Sequence, residues 1–179
     1  VLEALPGAKD VDNLYSIALE YGGFIGENIR RCVDARANVE GVDNAFADVQ
    51  ASSAPGDICV VYVSTHGGVL SKDSGKFKKG TAVLSLYDDD YSEMQLTQNL
   101  SLLHDVAVVC IVSACHAGAL YNNSHDSPQR IHWYLSNGLA MCPVNVAWIT
   151  GAGEGTSGNG LFDMFLFDYG WKKGYYKNT

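Results

Sequence analysis

VAVVCIVSACHAG, residues 106–118, is the stretch that decides the fold. Its apolar run from Val106 to Val112 is too short for a membrane span and too rich in β-branched residues for a comfortable helix. It therefore reads as a buried strand. The run stops at Ser113 and Ala114, and Cys115, His116 and Gly118 follow, so a thiol stands at the carboxyl end of a core strand. Open α/β sheets usually place their chemistry at that end. DICVVYVSTHGG, residues 57–68, has the same grammar, a buried run that ends in His66. Two parallel strands delivering a cysteine and a histidine to one sheet edge would supply a nucleophile and a base.

Outward from these two strands, the pattern alternates. Leu5-Pro6-Gly7 reads as a turn, and Asp10 as the cap of a helix carrying Leu14, Ile17, Ala18 and Tyr21 at helical spacing up to Gly22-Gly23. Phe24–Ile29 reads as a short edge strand, and Asn38–Val49 as a second helix with Val39, Val42, Phe46 and Val49 on one face. Ala54-Pro55-Gly56-Asp57 turns the chain into the His66 strand. The stretch from Gly67 to Gly80, with Lys72, Lys76, Lys78 and Lys79, reads as a mobile surface loop. Thr81–Tyr87 is strand-like, Asp88-Asp89-Asp90 a solvated turn, and Ser92–Leu103 a third helix. From Leu120 to Cys142 the pattern is irregular, then Val144–Thr150 reads as a buried strand. Gly151–Gly160 follows as a glycine-rich loop, and Leu161–Tyr169 as a last helix. Alternation of this kind means an α/β layer sandwich around a largely parallel sheet.

At 179 residues the chain suits a single domain over residues 1–179. Twelve basic residues against 20 acidic ones, a net charge of −8, argue against a nucleic-acid partner. Nothing in the sequence suggests a membrane partner, and the oligomeric state is left open. Five cysteines, an odd number with no CxxC pair, point to a reduced intracellular chain, so the expected setting is cytoplasmic. Asn99-Leu100-Ser101 and Asn122-Asn123-Ser124 fit the glycosylation pattern, with no signal peptide visible in the sequence as it stands.

A cysteine of ordinary pKa is only a few per cent thiolate at neutral pH, so a nucleophilic Cys115 wants a base, and His66 could supply it. The plain alternative is a buried thiol and a loop histidine. Shared placement favours the pair: each follows a buried run, and each is followed closely by a glycine that lets backbone N–H groups approach a reacting oxygen. Cys115, His116, His125 and His132 fit no zinc spacing. Gly151–Gly160 lacks the order of a phosphate-binding loop. Asp88, Asp89 and Asp90 are candidate calcium ligands or simply a solvated turn.

Ser64-Thr65-His66-Gly67, followed about fifty residues later by Ser113-Ala114-Cys115-His116-Ala117-Gly118, resembles the caspase-like cysteine peptidases, including metacaspases, paracaspases and bacterial relatives. Leu5-Pro6-Gly7-Ala8 with Asp10, Ala54-Pro55-Gly56-Asp57, Leu84–Asp89, and Trp148–Gly151 through Gly160-Leu161-Phe162 are similar to further family segments. The resemblance implies a three-layer caspase-like sandwich, with a mostly parallel central sheet flanked by helices. The family's first strand, expected just before Leu5, is not in this sequence.

The resemblance also implies cleavage of a peptide or protein substrate through an acyl-enzyme, with no cofactor required for the chemistry. Cys115 would attack, His66 would act as general acid and base, and the backbone N–H groups of Gly67 and Cys115 would form the oxyanion hole. Thr65, Ser113, Gly151 and Glu154 are the substrate-binding candidates. Many metacaspases have an aspartate where Ser113 stands, which puts a preference for basic residues in question; Glu154 could supply a carboxylate instead. Calcium activation, as in some metacaspases, would fall to the Asp88–Asp90 turn. The Lys-rich loop and the Gln129-Arg130 loop are the expected places for proteolytic nicking, self-cleavage included. A rival reading is a caspase-fold binding module with an idle dyad, and a third is an esterase or acyltransferase using the same two residues.

Overall fold

A computed structural model describes residues 7–120, 145–153 and 166 of the chain. In chain order the described elements are α1 (Gly7–Glu20), α2 (Val39–Ser52), β1 (Ile58–Ser64), β2 (Gly67–Val69), β3 (Ala82–Ser85), β4 (Asp90–Ser92), α3 (Glu93–Leu102), β5 (Ala107–Ser113) and β6 (Val146–Thr150). The strands β1, β5 and β6 form a parallel sheet in the order β1-β5-β6, and β2-β3-β4 form a small antiparallel sheet.

Strand alternation divides the parallel sheet into two faces. Cys59, Val61 and Val63 of β1 share a face with Val108, Cys110 and Val112 of β5, and against them pack Val39, Val42, Phe46 and Val49 of α2 with Leu96 and Leu100 of α3. The opposite face receives α1, whose Ile17 is buried and whose first turns reach Ser64. The result is the expected sandwich: α1, a parallel sheet, then α2 and α3.

The local chemistry explains the element ends. Asn38 caps α2 by accepting from the Gly41 N–H at 2.7 Å, and Asp88 Oδ1 takes the Val39 N–H at 3.0 Å. Asp57 Oδ2 accepts from the Ala54 N–H at 2.8 Å, and Gly56, at φ +96°, supplies the left-handed residue that closes this turn into β1. Ser92 and Gln95 form a reciprocal capping box at the start of α3. Asn145 Nδ2 donates to the carbonyls of Leu103 and Val106, which ties the entry of β6 to that of β5.

Five local expectations change. The strands β1 and β6 are not buried runs: Ile58 and Val60 of β1 and Ile149 of β6 are exposed, and of the parallel strands only β5 is largely buried. Asp10 is not a cap: α1 starts at Gly7, and Asp10 lies in its first turn, 8% exposed, accepting a hydrogen bond from Ser64 Oγ at 3.0 Å. Phe24–Ile29 is not a strand but a 3-10 turn over Gly26–Asn28, with no strand among the described residues to complete a ladder. Asp90 belongs to β4, held there by Tyr91, which is buried in the core. The stretch 67–80 is organised: it begins as β2, Ser74 and Phe77 form a bridge, and buried Phe77 anchors its tip. Lys76 pairs there with Asp89 at 2.9 Å and Lys78 with Asp73 at 2.8 Å. Asn99 lies inside α3 with its amide donating to Asp43 Oδ1 at 2.7 Å and to Tyr91 Oη, so that glycosylation pattern is spent on packing. Asn122, the Gln129-Arg130 loop and the helix expected over residues 161–169 lie outside the described residues, apart from Leu166.

Candidate active site

The register between β1 and β5 is the geometric basis of the site. Ser64 is opposite Ser113, the last of seven paired positions, and the Thr65 N–H extends the ladder to the Ser113 carbonyl at 3.2 Å. His66 and Cys115 therefore stand at equivalent places, each two residues beyond a paired strand end. Both are partly buried, at the carboxyl edge of the sheet.

Behind His66 the backbone of Gly67 passes directly over Cys115. A Cβ at Gly67 would lie 2.4 Å from the Cys115 carbonyl oxygen and 3.0 Å from Ala114 Cβ, so only glycine fits there. The antiparallel ladder fixes how Gly67 is turned. Ser85 N–H donates to the His66 carbonyl at 2.9 Å, and Leu70 N–H to the Thr81 carbonyl at 2.9 Å. Hydrogen-bonded pairs alternate in such a ladder, so Gly67 and Val69, opposite Leu84 and Ala82, present their N–H and C=O away from β3.

Thr65 and Ser85 hold the histidine's turn in place. Thr65 Oγ1 donates to the Ser85 carbonyl at 2.6 Å, and Ser85 N–H donates to the His66 carbonyl, so one residue of β3 grips both sides of the His66 turn. Ser85 Oγ in turn donates to Asp90 Oδ1 at 3.2 Å. On the cysteine side, His116 adopts φ +56°, a left-handed conformation that costs a non-glycine residue about 1 kcal/mol or more. Its carbonyl accepts from the Ala119 N–H at 2.9 Å as the chain enters a buried 3-10 turn over Ala117–Leu120. The sharp reversal immediately after Cys115 leaves the thiol at the end of the strand.

The other candidate residues are distributed as follows. Ser113 ends β5 beside Ser64, and Ser64 Oγ donates to Asp10. A carboxylate from α1 thus stands next to the two strand ends, a residue that sequence reading assigned to helix capping. Gly151 continues β6, its N–H donating to the Val112 carbonyl at 2.9 Å, and Gly118 N–H reaches the Ala152 carbonyl at 3.0 Å. Glu154 lies outside the described residues. Asp88, Asp89 and Asp90 diverge to separate partners, the Val39 N–H, Lys76 and Ser85 Oγ, and among the described residues no group of three metal-ligating side chains converges.

Among the described cysteines, Cys115 is the one at a strand end. Cys110 is fully buried in the core, and burial with neighbouring Cys59 pushes its thiol up to about 12. Cys59 and Cys32 are also raised by burial, with Arg36 opposing in part at Cys32.

The sequence of residues 2–169 matches the family model described as the caspase domain, of the C14 peptidases. The chain belongs to the caspase-domain family. The β1-β5-β6 sheet with helices on both faces is the caspase-like sandwich, and the two strand ends that carry His66 and Cys115 lie at its carboxyl edge. A crystal structure of a protein from Geobacter sulfurreducens is similar in fold, with a TM-score of 0.67 and 21% identity over 93% of this chain and 72% of that one. No curated protein matches the caspase-domain chain at a significant level. Among the described residues, no helix is long and apolar enough to cross a membrane.

Proposed function

We propose that the chain is a cysteine endopeptidase that hydrolyses peptide bonds through Cys115 and His66. The observation that carries the reading is the Ser64–Ser113 register, which sets the two residues at equivalent positions beyond adjacent strand ends, with Gly67 packed on the Cys115 backbone. His66 takes the thiol proton, and the Cys115 sulfur adds to the scissile carbonyl carbon. The negative charge that develops on the carbonyl oxygen is met by the backbone N–H groups of Gly67 and Cys115, donors of a kind worth on the order of 10²-fold each. Collapse of the tetrahedral adduct breaks the C–N bond, and His66 returns the proton to the departing amine. Water, deprotonated by His66, then opens the thioester and releases the acid and the free thiol.

The Asp10 carboxylate supports a preference for a basic residue before the cleaved bond. It is nearly buried and lies 3.0 Å from Ser64 Oγ, beside the strand end that carries His66. A lysine or arginine side chain reaching that carboxylate would gain a charge-assisted hydrogen bond in a poorly solvated place. Asp10 then performs the task that Ser113 cannot. Mapping cleavage sites in a peptide library by mass spectrometry tests the reading: the expected products end in Arg or Lys and disappear with Cys115→Ala. Products with no enrichment of basic residues would remove the role of Asp10, and no turnover under reducing conditions, with or without calcium, would favour an idle binding module.

A further inference from the structure

Among the described residues, no strand pairs with the edge of β2 that faces away from β3. β2 is the terminal strand of the β2-β3-β4 sheet among the described residues, and the ladder parity turns the N–H and C=O of Gly67 and Val69 outward. The first outward group, the Gly67 N–H, is the oxyanion donor of the proposed mechanism. The next two along the edge, the Gly67 carbonyl and the Val69 N–H, lead away from Cys115. Residues 67 and 68 are both glycine and bring no side chain of their own to this part of the edge; Gly67 packs on Ala114 and Cys115, while a Cβ at Gly68 would meet nothing within 4 Å.

We propose that this edge is the subsite for the leaving half of the substrate, which it takes as an added parallel strand. The inference rests on the peptidase reading above and adds a binding subsite to it. Its direction follows from the chemistry. His66 protonates the departing amine, so the leaving half emerges on the side of His66, where β2 begins; the acyl half lies toward α1 and Asp10. In a parallel ladder, the N–H and C=O of one residue reach two partner residues that are two apart. Gly67 then bonds on both sides of the scissile bond. Its N–H takes the carbonyl of the residue before the bond, and its C=O takes the N–H of the second residue after it. The Val69 N–H takes the carbonyl of that same second residue. Peptide recognition by strand addition draws affinity from such backbone groups and leaves side-chain choice broad.

The test uses peptides with the acyl-side residues selected in the library, ending either one or three residues beyond the cleaved bond. The longer peptide is expected to show a kcat/KM roughly tenfold higher, the size of effect that one or two added hydrogen bonds supply. N-methylation of the second leaving-side residue removes that gain, and N-methylation of the third, whose N–H points away from β2, keeps it. Val69→Pro lowers the ratio of long to short substrate toward one; proline is tolerated on an edge strand where its nitrogen faces outward. Equal rates for long and short peptides, or equal loss from both methylations, would overturn the subsite while leaving the peptidase intact. Failure to cleave any library peptide would overturn both.

Discussion

Ser64 and Ser113 are opposite one another at the ends of two parallel strands, and the proposed dyad takes its placement from that pair. Two residues further on stand His66 and Cys115; across the sheet face from Ser64 stands Asp10. A shift of the register by one residue would send Cys115 to the other side of the strand plane and separate it from His66.

Thr65 ties the His66 turn to both sheets, through its N–H to Ser113 and its hydroxyl to Ser85. Thr65→Val removes the hydroxyl bond at similar volume, at a cost of about 1 kcal/mol in stability. The expected kinetic effect is a several-fold lower kcat with KM little changed, because substrate contacts are untouched while His66 is less well held. Thr65→Ser should restore most of the rate. A change confined to KM would mean that the hydroxyl contacts substrate instead.

Gly67→Ala forces a methyl group to within 2.4 Å of the Cys115 carbonyl oxygen. Backbone must shift, so activity should fall by about 10²-fold or more, in keeping with the displacement of an oxyanion donor. Gly68→Ala faces open space and serves as the comparison: it should fold as the parent does. Normal turnover by Gly67→Ala would contradict the close packing of the two strand ends.

Asp10→Asn keeps an acceptor for Ser64 Oγ but removes the charge. The expected outcome is a loss of about tenfold to 10²-fold in kcat/KM for substrates with Arg or Lys before the bond, the range for a charged hydrogen bond in a buried setting. Substrates with a neutral residue there should change little. Equal losses on both would make Asp10 a packing residue of α1.

Stability should fall at alkaline pH. Burial and the Asp43 carboxylate hold the Tyr91 phenol well above its ordinary value of 10.0, and burial raises Cys110 from 9.0 to about 12. Below pH 9 both groups are protonated in folded and unfolded chains alike. Between about 9 and 12 the unfolded chain releases protons that the folded chain retains, so unfolding becomes easier as pH rises. Urea midpoints measured from pH 8 to 11 should decline, and Tyr91→Phe should flatten the decline above pH 10 while losing the bonds to Asp43 and Asn99. A midpoint independent of pH over that range would contradict the account.

Much of this was legible in the sequence because it follows from composition and period. The β-branched runs around Val60 and Val109 read as strands and are strands, though only the second is buried, and residues placed directly after them reach the sheet edge. The helix expected over Ser92–Leu103 is there as α3, and its capping box between Ser92 and Gln95 is a feature the structure adds. Other features depend on distant contacts. Asp10 looks like a cap until Ser64 is known to face it, and the three-residue strands β2 and β4 are too short to show a period. The apolar Phe24-Ile25 pair has strand composition but no ladder partner among the described residues, so it settles into an exposed turn. The acidic run Asp88–Asp90 gave no hint that each carboxylate serves a different neighbour.

The central claim is that His66 and Cys115 form a working dyad. The most direct measurement is turnover of the peptide library by the parent chain, Cys115→Ala and His66→Ala under reducing conditions, with iodoacetamide labelling followed by peptide mapping. The account predicts cleavage by the parent alone and labelling of Cys115 ahead of Cys32, Cys59 and Cys110, whose thiols burial holds in the protonated form. Undiminished cleavage by Cys115→Ala would contradict it.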